Sequence, residues 1–276
     1  MTIRALTDAE RALVEELMPV YEDAENQERL TYLLNSLRSL LGESRALGKL
    51  AHSFKFRLKD TTSLRDKLHR QLVRDVDELH IPFHLNIQNF FTEINDLVGC
   101  RVLHLHTRQM QAIDPTLRKL FEDAPFQLLH GYPVAKLWDD ESRKYFEDIE
   151  IKTESQPRMY SSVHYVIASG SRFRLTAEVQ VRTLAQELWG EVDHKINYPH
   201  SNESLSCREQ IRTLAWVASS CTRLVDSIFA THDAELVRIA PASAGAPATA
   251  VQVAGPQAAD PRDVVAPAAP PQATPE

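Results

Sequence analysis

Ala177–Tyr198 reads AEVQVRTLAQELWGEVDHKINY, and within it a strand pattern gives way to a helix pattern at one residue. Phe173, Leu175, Ala177, Val179 and Val181 alternate with Arg174, Thr176, Glu178 and Gln180, and Arg182 extends the second set. Period two means a strand with one buried face. Its other face carries Glu178, Gln180 and Arg182 in a row, about 6.5–7 Å apart as strand geometry dictates. Thr183 stands where a helix N-cap belongs, with Gln186 as its capping-box partner. Beyond it Leu184, Leu188, Val192 and Ile196 recur at helical spacing and predict an amphipathic helix, on which Glu187, Glu191, His194 and Tyr198 form a second stripe. A strand bearing a carboxylate and an arginine therefore runs straight into a helix.

Composition bounds what this unit can belong to. The chain has 276 residues, 43% hydrophobic and 25% charged, enough for one catalytic-size domain with helical additions. No apolar run approaches the ~18–20 residues of a bilayer span, and the N-terminal MTIRALTDAERALVEEL carries charges where a signal peptide needs an apolar core, so a cytoplasmic protein with no membrane partner is expected. Cys100, Cys207 and Cys221 have no CxxC spacing and imply neither a zinc ribbon nor a disulfide framework; reduced, buried thiols are expected. A net charge of −7 argues against a globally basic nucleic-acid binder while leaving room for a local basic groove.

Upstream, Thr7–Glu10 reads as a capping box, and Leu6, Leu13 and Leu17 begin a helical stripe that Pro19 is expected to end or kink. Leu30, Leu33, Leu34, Leu37, Leu40 and Leu41 predict a stronger helix up to Gly42. Residues 1–50 thus read as a helical extension, a scaffold or a homo-oligomer contact. From Ser53 the period changes: Phe54, Phe56 and Leu58 alternate with Lys55, Arg57 and Lys59, a strand with one basic face. Asp60 or Thr61 caps the next helix, in which Leu64, Leu68, Leu72 and Leu79 are placed inward. The basic face is either solvated or, beside a helix N-terminus, suited to a polyphosphate.

Val98–Leu105 is a β-branched and leucine-rich run that reads as a central strand, with Asp96 at its entrance either capping a turn or holding Mg²⁺. Gly99 implies a bulge or a close approach. Thr107–Glu122 reads as a helix, and residues 126–152 as short strands with an acidic turn at Asp139–Glu141. In the next strand Tyr160, Ser162, His164 and Val166 share a face. Residues 203–239 form a long amphipathic helix with Leu205, Ile211, Leu214, Val217, Cys221, Leu224, Val225 and Ile228 near helical spacing. From Pro241 the chain is rich in Ala and Pro, too poor in large apolar residues to order itself, and is read as a disordered tail over 241–276.

Two separated acids, Asp96 and Glu178, with several cations fit phosphoryl or nucleotidyl transfer, in which carboxylate-held Mg²⁺ neutralises phosphate charge. No P-loop motif is present. The segments FRLKDTTSLRDKL, NDLVGCRVL, YSSVHYV and AEVQVRTLAQELWGEVDHKINY together resemble the RelA/SpoT-type alarmone synthetase domain, in order and spacing, across about residues 51–200. The likeness is to the small, single-domain (p)ppGpp synthetases. It implies an α/β (α+β) fold: a mixed β-sheet flanked by helices, nucleotidyltransferase-like, here with helical N- and C-terminal additions (1–50 and 201–240). It also implies an enzyme, a GTP pyrophosphokinase moving pyrophosphate from ATP to the ribose 3′-hydroxyl of GTP or GDP.

By motif position the resemblance implies that Arg57 and Arg101 sandwich the adenine of ATP, with Lys59, Ser63 and Lys67 near its phosphates. Asp96 would hold Mg²⁺. Glu178 would help hold the metal and act as base on the 3′-hydroxyl, and Tyr160 would stack on the acceptor guanine, supported by His164, Gln180, Arg182 and His194. One departure stands out. Members of the family place Lys-Pro-Asn-Gly before the stacking tyrosine, whereas this chain has Gln156-Pro-Arg-Met159, so Arg158 or Lys152 would have to supply the missing phosphate contact. The family's hydrolase half is not expected, because His232-Asp233 is a lone pair. Two alternatives remain: a toxin-type enzyme acting on the tRNA 3′ end or on adenosine nucleotides, for which Arg208, Arg212 and Arg223 offer local charge, and an inactive nucleotide-binding module.

Overall fold

The computed structural model describes residues 4–156, 159–197 and 204–239. Thr7 and Glu10 form the expected reciprocal capping box at the start of α1 (Asp8–Glu22). Pro19 does not end that helix but sits inside it, where the last turn runs on to Glu22. α2 (Ala24–Gly42) buries Leu30, Leu33, Leu34, Leu37 and Leu41, each such side chain contributing about 1.5–3 kcal/mol of transfer free energy. A single turn, α3 (Arg45–Gly48), leads into β1 (Ser53–Leu58).

The remaining strands are β2 (Val98–His104), β3 (Phe126–Leu128), β4 (Val134–Leu137), β5 (Lys152–Ser155), β6 (Ser162–Ser169) and β7 (Thr176–Thr183). They make a mixed sheet in the order β1-β2-β7-β6-β4-β5, with β3 also pairing with β6. β2 and β7 run parallel, as do β4 and β5, and the other pairs are antiparallel. Around the sheet lie α4 (Thr61–Val73), which passes into a π-helical turn, then α5 (Phe90–Glu93), α6 (Met110–Asp123), α7 (Asp140–Asp148), α8 (Leu184–Asn197) and α9 (Leu205–Ile239). The mixed α/β architecture is the one expected.

Register separates the two faces. Val98, Cys100, Val102, Val163, Tyr165, Ile167, Ala177, Val179 and Val181 point into one core shared with the leucines of α1, α2 and α4 and with α6. The opposite face reads across the strands as Lys55–Arg101–Gln180–His164–Val134–Lys152, and in the next row as Arg57–Gly99–Glu178–Val166. Strands ~4.8 Å apart thus bring side chains from distant segments onto one surface.

Several local expectations change. β7 starts at Thr176, not Phe173, because Arg174 adopts φ 46° and closes a turn onto the Ser171 carbonyl. In α8 the apolar stripe does not face inward: Leu188 is 59% exposed, while Glu187 and Trp189 are buried. α9 likewise turns Ile211, Ala215, Ala218 and Thr222 inward and leaves Leu205, Val217, Leu224 and Ile228 exposed, because the small residues let it approach Trp189 closely. Leu79 lies beyond α4 and is exposed. The acidic turn is the capped N-terminus of α7, where carboxylates suit the helix dipole. Tyr160 precedes β6 instead of belonging to it. Of the cysteines, Cys100 is buried but Cys221 is exposed. No described helix is long and apolar enough to cross a membrane. Pro157, Arg158, Tyr198 and the tail lie outside the described residues.

Candidate active site

One wall of the site grows out of β1 and α4. Alternation puts Lys55 and Arg57 on the polar face, and Lys59, the next member, is drawn under α4 to 8% exposure. Asp60 rather than Thr61 caps α4, accepting from the Ser63 amide at 2.8 Å. Lys59 Nζ and Lys67 Nζ, from the strand end and the second turn of the helix, donate to the two oxygens of Asp96 at 2.8 and 2.5 Å. Burial pushes the Asp96 carboxyl upward, but Lys67 and Lys59 outweigh it and hold the group below its ordinary range. Burial also lowers the Lys59 ammonium. A cavity of about 440 Å³ is lined by Arg57, Lys59, Ser63, Lys67, Asp96 and His194 among others. There burial, then the charge of Arg57, lowers the His194 pKa and favours a neutral ring.

The bulge or close approach expected at Gly99 is not there: the register runs through it unbroken, and Arg57 Cγ and Nε lie 3.5 Å from where its Cβ would be, an ordinary contact. Arg101, one pair further along, is the diagonal neighbour of Arg57 across the strand pair, ~7–8 Å away. Its guanidinium is held by Glu187 at 3.0 Å and by Glu191. Lys55 reaches the same Glu191 at 2.9 Å. Burial raises the Glu191 pKa, but bonds from Lys55 and Arg101 dominate and bring it to about 2.

The other wall belongs to β6 and β7. Glu178 accepts from His164 Nδ1 and from Gln180 Nε2, both at 2.7 Å, and His164 Nε2 lies 3.1 Å from the Tyr160 hydroxyl. Burial again pushes the Glu178 carboxyl up, and His164 with these hydrogen bonds reverses the sign, holding it far below the carboxylate range. Arg182 is 3% exposed, pairs with Glu187 at 2.7 Å and lies 5.8 Å over the Tyr160 ring. Gly190 of α8 permits that, since a Cβ there would meet Arg182 Nη1 at 2.7 Å.

Asp96 and Glu178 line one cavity of about 320 Å³ together, and also a narrow cleft with Lys55, Arg57 and Arg101. All the expected site residues therefore fall on or beside one sheet face, with Tyr160 tucked against His164 and the Trp189 cluster. The chemistry of the pair suits Mg²⁺: two carboxylates close enough for the charge of Glu178 to act on Asp96, lining one cavity. No group of three His, Cys, Asp or Glu side chains gathers among the described residues, so phosphates and water would complete the coordination. Sequence reasoning missed Lys136, whose charge acts on Glu178, and His130, Tyr132 and Glu154, which line the same cavity. One signal was present, a lysine between Ala135 and Leu137, both buried. Arg212 and Arg223 of α9 do not form a bare basic strip: they lie 4.0 Å from Glu209 and 3.9 Å from Glu141.

The family model described as the region found in RelA / SpoT proteins matches residues 56–203. The chain belongs to this RelA/SpoT family. Among solved structures it is similar to a GTP pyrophosphokinase family protein from Streptococcus pneumoniae, 16% identical, covering 82% of this chain and 97% of that one with a TM-score of 0.53. It is also similar to small alarmone synthetase 2 from Bacillus subtilis, 17% identical over 76% and 98% of the two chains, TM-score 0.53. For small alarmone synthetase 1 from the same organism the figures are 16%, 79% and 95%, with a TM-score of 0.50. At these identities the likeness is one of fold. A search of curated proteins finds no match.

Proposed function

We propose that this RelA/SpoT-family chain is a Mg²⁺-dependent pyrophosphokinase that transfers the β,γ-pyrophosphate of ATP to the ribose 3′-hydroxyl of GTP or GDP. The observation that carries the reading is the pairing of Asp96 and Glu178 in one cavity, each carboxylate kept ionised by its own cation or donor set. A module that only binds nucleotide has no use for a second buried anion beside the first, where like charges oppose each other.

Arg57 and Arg101, diagonal neighbours on one face of β1 and β2, would take a flat base between their guanidinium planes. Lys59, Lys67 and the capped N-terminus of α4 bring positive charge to the triphosphate, with Ser63 and His194 lining the same wall. O3′ of the acceptor bonds to the β-phosphorus as the bond to the bridging oxygen of AMP breaks, and the hydroxyl proton passes to Glu178. Mg²⁺ held by Asp96 and Glu178 would neutralise phosphate charge and lower the pKa of that hydroxyl. A carboxylate with so low a pKa is a weak base but is ionised throughout the neutral range, so positioning carries much of the catalysis. His164 and Gln180 fix its two oxygens, and Arg182 steadies Tyr160. Lys136 supplies a cation to the acceptor side.

ATP labelled in its γ-phosphate and offered with GTP, GDP, ATP or deacylated tRNA tests the reading. Label is expected on GDP or GTP, and Glu178→Gln is expected to lower transfer about 10²–10⁴-fold while ATP still binds. Transfer to tRNA or ATP alone would replace this acceptor assignment, and no transfer to any acceptor would leave a binding module.

A further inference from the structure

α8 sets two acids on the polar face of the sheet, one turn apart. Glu187 Oε1 accepts from Arg101 Nη1 of β2 at 3.0 Å, and its Oε2 lies 2.7 Å from Arg182 Nη2 of β7. Glu191 also takes Arg101, and it accepts from Lys55 of β1 at 2.9 Å. No hydrogen bond or ion pair joins Glu191 to Arg182 among the described residues. The Glu187 carboxylate is therefore divided between two arginines from different strands, of which Glu191 serves only the first.

Such a division is not what would stabilise the fold most. A buried arginine and carboxylate pair best as a bidentate fork. Here Glu187 Oε2 and Arg182 Nε are both buried with no hydrogen-bond partner, although Nη2 stands close, because Oε1 is committed to Arg101. Burial and the nearby charge of Arg101 lower the Arg182 pKa, so the carboxylate also stands between two cations that oppose each other. Buried polar atoms left unpaired are rare in folded proteins and call for an explanation. Both arginines border a base site: Arg101 is the diagonal neighbour of Arg57, and Arg182 lies 5.8 Å over the Tyr160 ring.

We infer that Glu187 is a positioning residue shared by the two base sites. One oxygen orients the Arg101 guanidinium against the donor base, and the other holds Arg182 behind the Tyr160 ring on which the acceptor base stacks. Glu191 orients Arg101 alone. Glu187 acts through its arginines, for it lines neither of the cavities that hold Asp96 and Glu178 together. The inference rests on the pyrophosphokinase reading above, which assigns ATP to the arginine pair and GTP or GDP to Tyr160.

The test is equilibrium binding to the full chain of GDP and, separately, of an ATP analogue whose α,β-methylene bridge blocks transfer. Glu187→Met is expected to weaken both nucleotides by about tenfold, the worth of one hydrogen bond to a charged group. Arg182→Met is expected to weaken GDP to a similar degree and to leave the ATP analogue unchanged, and Glu191→Gln to do the reverse. Because Glu187 reaches the acceptor base only through Arg182, Glu187→Met/Arg182→Met is expected to bind GDP no more weakly than Arg182→Met alone, while losing the ATP analogue as Glu187→Met does. That double variant leaves no orphaned Arg182 and carries the comparison where Glu187→Met does not fold. A purely structural Glu187 would lower both affinities in every variant or in none. Loss of one nucleotide or neither in Glu187→Met, multiplied GDP losses or an unaffected ATP analogue in the double variant, or an ATP analogue weakened by Arg182→Met overturns the inference. The two readings fail separately: transfer to GDP without this pattern sinks the positioning role alone, whereas the pattern without transfer sinks the reaction alone.

Discussion

Glu187→Gln removes one charge from a buried cluster, and the surroundings set the size of the effect. Glu187 pairs with Arg182 at 2.7 Å and with Arg101 at 3.0 Å, and the side chains of all three are at most 16% exposed. Arg101 keeps a second carboxylate in Glu191. Arg182 has no other ion-pair partner among the described residues, and its Nε is buried without an acceptor. Removing one partner of a buried pair typically costs about 3–5 kcal/mol, since the remaining charge stays desolvated. Glutamine still offers a carbonyl oxygen, so about 3 kcal/mol is expected, equivalent to a Tm drop of roughly 6–12 °C for a chain of this size. Urea unfolding at neutral pH measures the free energy, and Arg182→Met with the double variant Glu187→Met/Arg182→Met completes a cycle. The double variant is expected to be more stable than the sum of the single losses predicts, because it leaves no orphaned charge. A loss below about 0.5 kcal/mol in Glu187→Gln, or strict additivity in the cycle, would refute the idea that Glu187 compensates Arg182.

Acid stability follows from the two site carboxylates. Asp96 and Glu178 are held below their ordinary pKa values in the folded chain, so they contribute stability above the unfolded values of about 4, and that contribution is lost as pH falls toward the folded values. Thermal scans across that acid range should show a steep fall in Tm, shallower in Glu178→Gln; equal slopes would contradict the depressed Glu178 pKa. A glycine pair separates sterics from propensity. Gly190→Ala places a Cβ 2.7 Å from the pinned Arg182 Nη1 and should destabilise by more than the ~1 kcal/mol that alanine gains in a helix, whereas Gly99→Ala meets Arg57 at an ordinary 3.5 Å and should fold normally. Comparable unfolding midpoints for the two variants would show that Arg182 is free to move aside.

Local pattern made much of the site legible. Phe54, Phe56 and Leu58 against Lys55 and Arg57, and Val179 and Val181 against Glu178 and Gln180, declare two strand faces by alternation alone. Asp60 before α4 declares a cap. The wall beside Glu178 that holds Tyr132 and Lys136 was not legible, because both lie in a segment of short strands, too brief for any period to emerge. The inward faces of α8 and α9 were misread for another reason. A helical stripe says which residues lie together, but α8 packs on a sheet face lined with arginines, so its acids turn inward and Leu188 turns out.

The sequence by itself determined the central parts of the long strands, several helix starts and the identity of the charged groups, since these depend on neighbours within a turn or two of the chain. Tertiary structure decided which charges meet. Arg101 and Glu187 stand 86 residues apart in the chain, and Lys59 and Asp96 stand 37 apart. Only the register of a mixed sheet sets such residues side by side. Burial on that sheet then settles their protonation, by weighing the loss of water against the cations that replace it.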